Sequence, residues 1–513
     1  MVKQFWKNTV EKFNEQVFLK FDEDYYTYGE FDQITNQLAN GLLDFGCKQG
    51  DKIALLFRNS PVYLQCFLAI NKIGGIVVPL ISGSTPDEIK YVLNHSESRY
   101  LIADNTNYKN VAVIRKELRF LKRTILVDGT NKSEPSFESL LSDNVEEPSA
   151  TIKPEDPMAC MYTSGSTGKP KGVVLPNSSF SSCGIAFSTR LNYKATDTIF
   201  CTLPLFHAAG THMNIASAIA CGASVSLVEK FSANMFWDTV DKHQVTKALL
   251  LPTMVSILMS LPPKENDRDH SLNLVISHIR PKEFMERFNL DMCTTWNLTE
   301  IGGMGTLTSP NYNRFEPKLI GWPFPDNAQV KVVDNNGNDV GPNSIGELLF
   351  KHPDIMKEYY KNEEATKSTL VNGWVKTGDL GRMDNEGRVY YEGRIKHVIK
   401  RSGENISGEE VEFTLMSHAE VVECVVFSVP DEIRTEEVAS VVVLQDRSKL
   451  SATQLADWCK EKLSDWKIPR YIQLTYDPLP KLPNGKINRI NIKFDPVNSE
   501  DRTKLNRQKS SFT

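Results

Sequence analysis

No two of the nine cysteines form a C-x-x-C pair, and their number is odd. That excludes a zinc ribbon and a disulfide scaffold, and it leads us to expect a reducing, cytoplasmic compartment. Long apolar runs are also missing. The longest, residues 73–81, is about half a membrane span, so no span is expected. The opening MVKQFWKNTVEKFNEQ lacks the apolar run of a signal peptide, and the final SSFT is no peroxisomal tripeptide. An excess of one charge is absent as well. Lys+Arg total 59 and Asp+Glu 64, a net −5, which gives no global pull toward nucleic acid or an anionic membrane.

What is present is ordinary globular material, 40% hydrophobic and 24% charged over 513 residues, enough for two to four compact units. Residues 32–46 place Ile34, Leu38, Leu42 and Leu43 at helical spacing. The short apolar strands KIALLF (52–57), IVVPL (76–80) and YLIAD (100–104) follow, separated by PVYLQCFLAINKIG and PDEIKYVLNHS. This alternation predicts an α/β fold with mainly parallel strands between helices. The rhythm returns over 198–260. After about residue 325 the texture changes. Residues 328–350 read as a hairpin around Asn-Asn-Gly, and 409–495 read as a small α+β unit. A boundary near 394–397 is expected from texture alone, with a polar tail at 496–513.

The segment Tyr162-Thr163-Ser164-Gly165-Ser166-Thr167-Gly168-Lys169-Pro170-Lys171-Gly172 packs three glycines, four Ser/Thr hydroxyls and two lysines into eleven positions. Glycines let backbone N–H groups approach an anion, and hydroxyls and lysines donate to phosphate oxygens. A nucleotide phosphate is the natural ligand. A Walker loop needs G-x-x-x-x-G-K-[ST]. Here Lys169 is followed by Pro170, and no Ser/Thr stands in place to hold magnesium, so a Walker ATPase is rejected.

This loop resembles the signature of the adenylate-forming (AMP-binding) superfamily, which includes acyl-CoA synthetases and the adenylation domains of peptide synthetases. Further motifs follow in that family's order along nearly the whole chain: Thr27-Tyr28-Gly29-Glu30, Gly50-Asp51-Lys52, Lys72-Ile73-Gly74-Gly75 and Pro204-Leu205-Phe206-His207, then Trp296-Asn297-Leu298-Thr299-Glu300, Gly373 through Asp379, Gly393-Arg394-Ile395-Lys396, Ser402-Gly403-Glu404-Asn405 and Leu482 through Arg489. The resemblance implies a large N-terminal domain (1–394) with parallel sheets and a small barrel-like part, a hinge at 395–396, and a mobile α+β lid (397–495). It implies an ATP-dependent acid–CoA ligase using ATP, magnesium and coenzyme A, acting on a small or medium-chain acid as monomer or homodimer. By the same resemblance, Thr163, Ser164, Gly165, Ser166, Thr167, Gly168 and Lys169 cradle phosphates. Trp296 stacks on adenine, Thr299 donates to the α-phosphate and Glu300 holds magnesium. Asp379 grips the ribose with Arg394 nearby, and Lys396 is the pivot. Gly403 lets the pantetheine arm pass, His207 and Gly302 face the acid, and Lys486 is the catalytic cation. Read cold, Asn484-Gly485-Lys486 is simply a turn, and Thr299-Glu300 a helix cap.

Three departures stand out. VISHIR (275–280) replaces a glycine- and alanine-rich turn, which puts the adenine contacts and the acid pocket's shape in question. Asn297 replaces a glycine, and Pro176-Asn177 stands where a histidine is usual. Two other readings follow from the same residues: an enzyme that loads a carrier protein, and a non-catalytic adenylate sensor. The stretches VEKFSANMFW and LPPKENDRDHSL resemble the branch of crotonobetaine/carnitine–CoA ligases.

Overall fold

In the computed structural model, the opening motif Thr27-Tyr28-Gly29-Glu30 starts a helix through a capping box. Thr27 Oγ1 accepts from the Glu30 N–H at 3.1 Å, and the Glu30 carboxylate accepts from the Thr27 N–H at 2.8 Å. Such a cap contributes about 1 kcal/mol, and it begins the helix Tyr28–Asp44. Thr85 and Glu88 repeat the device ahead of Pro86–Ser96. Ser60 caps Pro61–Lys72 with proline in the first turn, where its missing N–H costs nothing. The structure describes residues 1–128, 134–163, 169–312, 314–401, 404–431, 434–481, 487–496 and 499–501.

Among the described residues the strands form three sheets of fourteen, seven and six. In the seven-stranded sheet, Lys52–Leu56 lies between Ile76–Pro79 and Tyr100–Ala103, all parallel. Side chains alternate as the pleat requires. Ile53 and Leu55 enter one core, while Ala54 and Leu56 enter another beneath Pro86–Ser96. The large sheet behaves likewise: Ile199 and Cys201 face the shared core, and Phe200 faces the opposite one. The largest core therefore lies between the two sheets, filled by the helices Val2–Phe13, Tyr28–Asp44, Pro61–Lys72 and Asn177–Arg190.

The expected barrel-like part does not close. Its strands continue the large sheet edge to edge. Asp291–Asn297 pairs antiparallel with Gly305–Leu307, and the path runs on to Gln329–Val333, which ends it. With Gln329–Val333 paired to Gly346–Lys351 alone on this path, the two edges do not meet among the described residues. The expected hairpin at 328–350 is this pair.

The chain passes from the large sheet to the six-stranded one across the turn Ile395–His397, between Val389–Arg394 and Val398–Arg401. Gly393 sits there at φ 122°, and a Cβ on it would lie 2.3 Å from Ser407 Oγ. Only glycine satisfies both the backbone and the contact. The smaller unit has its own core, built from Ile399, Val411, Leu415, Val438, Leu455 and Ile472 among others. Part of the expected polar tail is ordered: Glu500–Asp501 pairs with Tyr471 and Ile472. No helix among the described residues is long and apolar enough to cross a membrane.

Candidate active site

The parallel strands Leu274–Ser277 and Asp291–Asn297 end side by side, and open α/β sheets bind ligands outside such carboxyl ends. Beyond Asn297 the chain makes a tight turn, Thr299–Ile301, closed by Gly302 in the left-handed conformation at φ 65°. Trp296, Thr299, Glu300 and Gly302 are thereby presented together, with Thr299 and Glu300 half-buried.

Asp379 reaches this place from another strand, Trp374–Met383, where it lies opposite Arg394. Its carboxylate is 1% exposed and holds two donors. The Trp296 indole N–H donates to Oδ2 at 2.8 Å, and Arg394 Nε donates to Oδ1 at 2.7 Å. Burial pushes the Asp379 carboxyl up, against the pull of Arg394 and the indole N–H. The Thr377 hydroxyl accepts from the Asp379 N–H, and Glu347 accepts from the Gly378 N–H, so the backbone at this bend is also pinned.

Glu300 accepts a hydrogen bond from the Tyr359 hydroxyl at 2.8 Å. Tyr359 pairs with Val173, and Lys171 Nζ lies 4.7 Å from the centre of its ring. Glu300 is thus tied to the strand leaving the phosphate loop. That loop is a hairpin connection, because Pro157–Thr163 and Lys171–Pro176 are antiparallel with Thr163 opposite Lys171. A Walker loop joins a strand to a helix, so the topology agrees with the sequence-based rejection. Ser164, Gly165, Ser166, Thr167 and Gly168 lie outside the described residues, as do Gly403 and Lys486, and so does the side chain of Lys396.

Both stems of the loop are held by the helix Pro86–Ser96, at positions the motif reading missed. His95 Nδ1 and the Tyr162 hydroxyl are 2.8 Å apart, and the Tyr91 hydroxyl donates to the Pro170 carbonyl at 2.9 Å. Tyr91 also carries Lys169 5.5 Å from its ring centre. The one sequence signal was their (i, i+4) spacing, which puts both rings on one helix face.

His207 lies half-buried in a turn, its ring 4.8 Å from that of Phe206. The residues after it, Ala209–Ile215, form a π-helix, an arrangement common at functional sites. His212 is fully buried there, 3.0 Å from Thr211 Oγ1 and 3.3 Å from Ser179 Oγ. A Cβ on Gly303 would come 3.3 Å from His212 Cβ, and one on Gly302 3.1 Å from Ser179 Cβ. The glycine turn thus rests directly on this buried layer.

Burial pushes the His212 imidazole down from its ordinary 6.5 to about 3, so the folded protein holds it neutral. The unfolded chain binds the extra proton below pH 6.5, so this part of the stability is present above that pH and is lost as pH falls toward 3. His212→Asn should flatten the acid-side loss of stability by up to about 1.4 kcal/mol per pH unit. Urea unfolding of both proteins at pH steps from 7 down to 4 measures this. Parallel curves would show that His212 does not carry this pH dependence.

The three departures have structural reasons. Asn297 sits in strand backbone that any residue adopts. Asn177 is buried, donates to the Asp156 carbonyl at 3.1 Å and accepts from the Val2 N–H at 3.3 Å, tying down the first helix. In VISHIR, His278 Nδ1 is 2.7 Å from the Thr295 carbonyl. Arg280 folds back to Asp291 at 3.1 Å, at the far end of the neighbouring strand from Trp296.

The donor set suits magnesium held with a nucleotide. Glu300 offers a carboxylate, while no group of three or more His, Cys, Asp or Glu that could hold a metal occurs among the described residues. A hard cation bound by one carboxylate and substrate phosphates fits that arrangement.

Comparison with known proteins agrees. The family model for the AMP-binding enzyme matches residues 6–360, and that for the AMP-binding enzyme C-terminal domain matches 410–486. A crotonobetaine/carnitine–CoA ligase of Escherichia coli is 30% identical over 485 residues, 91% of this chain and 93% of that protein. An anthranilate CoA ligase in complex with anthranoyl-AMP superposes with a TM-score of 0.86 at 25% identity, over 95% of this chain and 96% of that one. The O-succinylbenzoate coenzyme A synthetase of Bacillus subtilis, in complex with ATP and magnesium, gives 0.82 at 26% over 96% and 99%. The chain therefore belongs to the AMP-binding enzyme family, as an enzyme of the adenylate-forming, acid–CoA ligase type.

Proposed function

We propose that this protein activates a small or medium-chain carboxylic acid with ATP and transfers the acyl group to coenzyme A. The observation that carries the reading is the linked set Arg394–Asp379–Trp296 and Glu300–Tyr359, which runs from the hinge turn to the stem of the phosphate loop.

A carboxylate is a poor acyl donor because its oxygen is a bad leaving group. Its attack on the α-phosphorus of ATP forms a new O–P bond, while the bond to pyrophosphate breaks in line. Catalysis of such a step is mainly positioning plus positive charge. Asp379 takes the ribose hydroxyls, and Thr163 through Lys169 take the β- and γ-phosphates. Thr299 donates to the α-phosphate, Lys486 faces the developing charge, and His207 and Gly302 border the acid. Magnesium, when bound at Glu300, supplies further positive charge to the phosphates.

In the second step the thiol of coenzyme A attacks the acyl carbon and AMP leaves. The unit from 397 turns about 395–396, with Lys396 as pivot, and brings Gly403 to the pantetheine arm. The independent core of that unit and the glycine-dependent turn support this division into domains. Nine free cysteines support a cytoplasmic location.

Acid-dependent ATP–pyrophosphate exchange tests the reading. A panel of short, medium-chain, aromatic and quaternary-ammonium acids should yield exchange well above background with at least one member. ATP bound stoichiometrically but never exchanged would overturn it in favour of a sensor. With the active acid in hand, free coenzyme A should accept the acyl group faster than a holo carrier protein.

A further inference from the structure

We propose that Trp296 is a positioning residue for the nucleotide ribose, acting through its indole N–H on the Asp379 carboxylate. The inference rests on the reading above that Asp379 takes the ribose hydroxyls. The Trp296 side chain is packed into the core. The residue is 5% exposed and belongs to the central core cluster. Its one polar atom points at Asp379 Oδ2 at 2.8 Å.

The partner on the other oxygen is placed quite differently. Arg394 is the last residue of its strand, directly before the turn Ile395–His397, and its side chain is 45% exposed while that of Asp379 is 1% exposed. A carboxylate held by Arg394 alone would follow any movement of that turn. Trp296 comes instead from Asp291–Asn297, a strand paired on both sides. Its hydrogen bond to a buried charge keeps one oxygen fixed whatever Arg394 does. A carboxylate has about four acceptor positions. The two protein donors take one on each oxygen and leave the others for two hydroxyls.

An indole N–H only donates. It therefore favours the ionised carboxylate, and it cannot accept a hydroxyl proton in place of that carboxylate. Glu409 and Tyr391 are the other titratable groups that act on or feel this carboxylate. Among the described residues neither hydrogen-bonds this carboxylate in place of the indole.

The test is discrimination between ATP and 2′,3′-dideoxy-ATP, read as the ratio of their dissociation constants. Two variants remove the N–H: Trp296→Phe, and replacement of Trp296 by 3-benzothienylalanine, which keeps the shape and so guards against a folding defect. Asp379→Asn reports on the premise. Losing a hydrogen bond to a charged group should cut the ratio about tenfold or more in both Trp296 variants. Asp379→Asn should cut it at least as far, and adding the Trp296 change to it should do little more. A core-packing role would weaken both nucleotides equally and leave the ratio unchanged, which overturns the inference. If Asp379→Asn itself leaves the ratio intact, the ribose assignment falls first and the role of Trp296 with it.

Discussion

Lys486→Ala should lower acid-dependent ATP–pyrophosphate exchange on the order of 10²- to 10³-fold, the scale for removing one preorganised donor from a developing charge. It should leave thioester formation from supplied acyl-adenylate within about threefold of wild type, since a fixed cation matters only where charge develops. Lys486 itself lies outside the described residues, but both ends of its loop are held. Lys481 and Ile487 form an antiparallel bridge, and the Asn488 N–H donates to the Pro480 carbonyl at 2.7 Å. Arg489 then anchors this segment to the smaller unit, donating to both oxygens of Glu412 at 2.6 and 2.8 Å and to the Val426 carbonyl at 2.8 Å. Rapid-quench measurement of the two half-reactions separates the effects. Equal loss of both would count against assigning Lys486 to adenylation alone.

The largest loss of stability should come from Lys72→Met, far from the chemistry. Lys72 is 1% exposed. Its ammonium donates to Asp32 Oδ1 at 2.6 Å, Thr35 Oγ1 at 2.7 Å and Asn36 Oδ1 at 2.6 Å. Burial pushes its pKa down, and Asp32 pulls it back up. Asp32 also accepts from the Trp6 indole N–H at 2.7 Å, so the pair fastens three helices together. Methionine fills the volume but leaves the Asp32 carboxylate and two neutral acceptors, Thr35 Oγ1 and Asn36 Oδ1, without their cation. Breaking a fully buried pair from one side costs about 3–5 kcal/mol, and because the Asp32 side chain is 25% exposed the loss should fall at or below the low end of that range. Removing both charges, in Lys72→Met with Asp32→Leu, should cost less than the two single changes added together. Calorimetry of the four proteins decides it, and a single-variant loss below about 1 kcal/mol would show that the pair is not a fastener.

Lys72 also shows what kind of meaning a motif carries. Lys72-Ile73-Gly74-Gly75 has a recognisable order, and a lysine beside glycines could equally have met a phosphate. Whether it meets one depends on burial, which no local pattern reports. Thr27-Tyr28-Gly29-Glu30 is the opposite case, because a capping box is made within four residues and is legible there. The strands at 52–57, 76–80 and 100–104 were legible for a related reason. A strand buried on both faces is a short apolar run, whatever lies above and below it.

The departures were visible as departures but not in their effect. Arg280 looked like bulk thrust into the nucleotide site, yet its guanidinium returns to Asp291. A long side chain can point either way along a sheet, and only the position of its counter-charge decides. The barrel-like part is a related case: its strands pair antiparallel but do not close among the described residues. Alternating short strands specify antiparallel pairing, but closure depends on whether the first and last edges meet.

By itself the sequence determined the α/β class, the helix caps, the order of the nucleotide motifs and the change of texture near residue 395, all set by neighbours within a few positions. The tertiary structure decided which of those residues act on one another. Trp296 and Asp379 are 83 positions apart, and Glu300 and Tyr359 59 apart. Each pair meets only because the order and register of the strands bring them together. Tyr91 and His95, outside every motif, hold the phosphate loop because their helix packs across its stems. Hydrogen bonds reach about 3 Å, so such partnerships are invisible until the chain is folded.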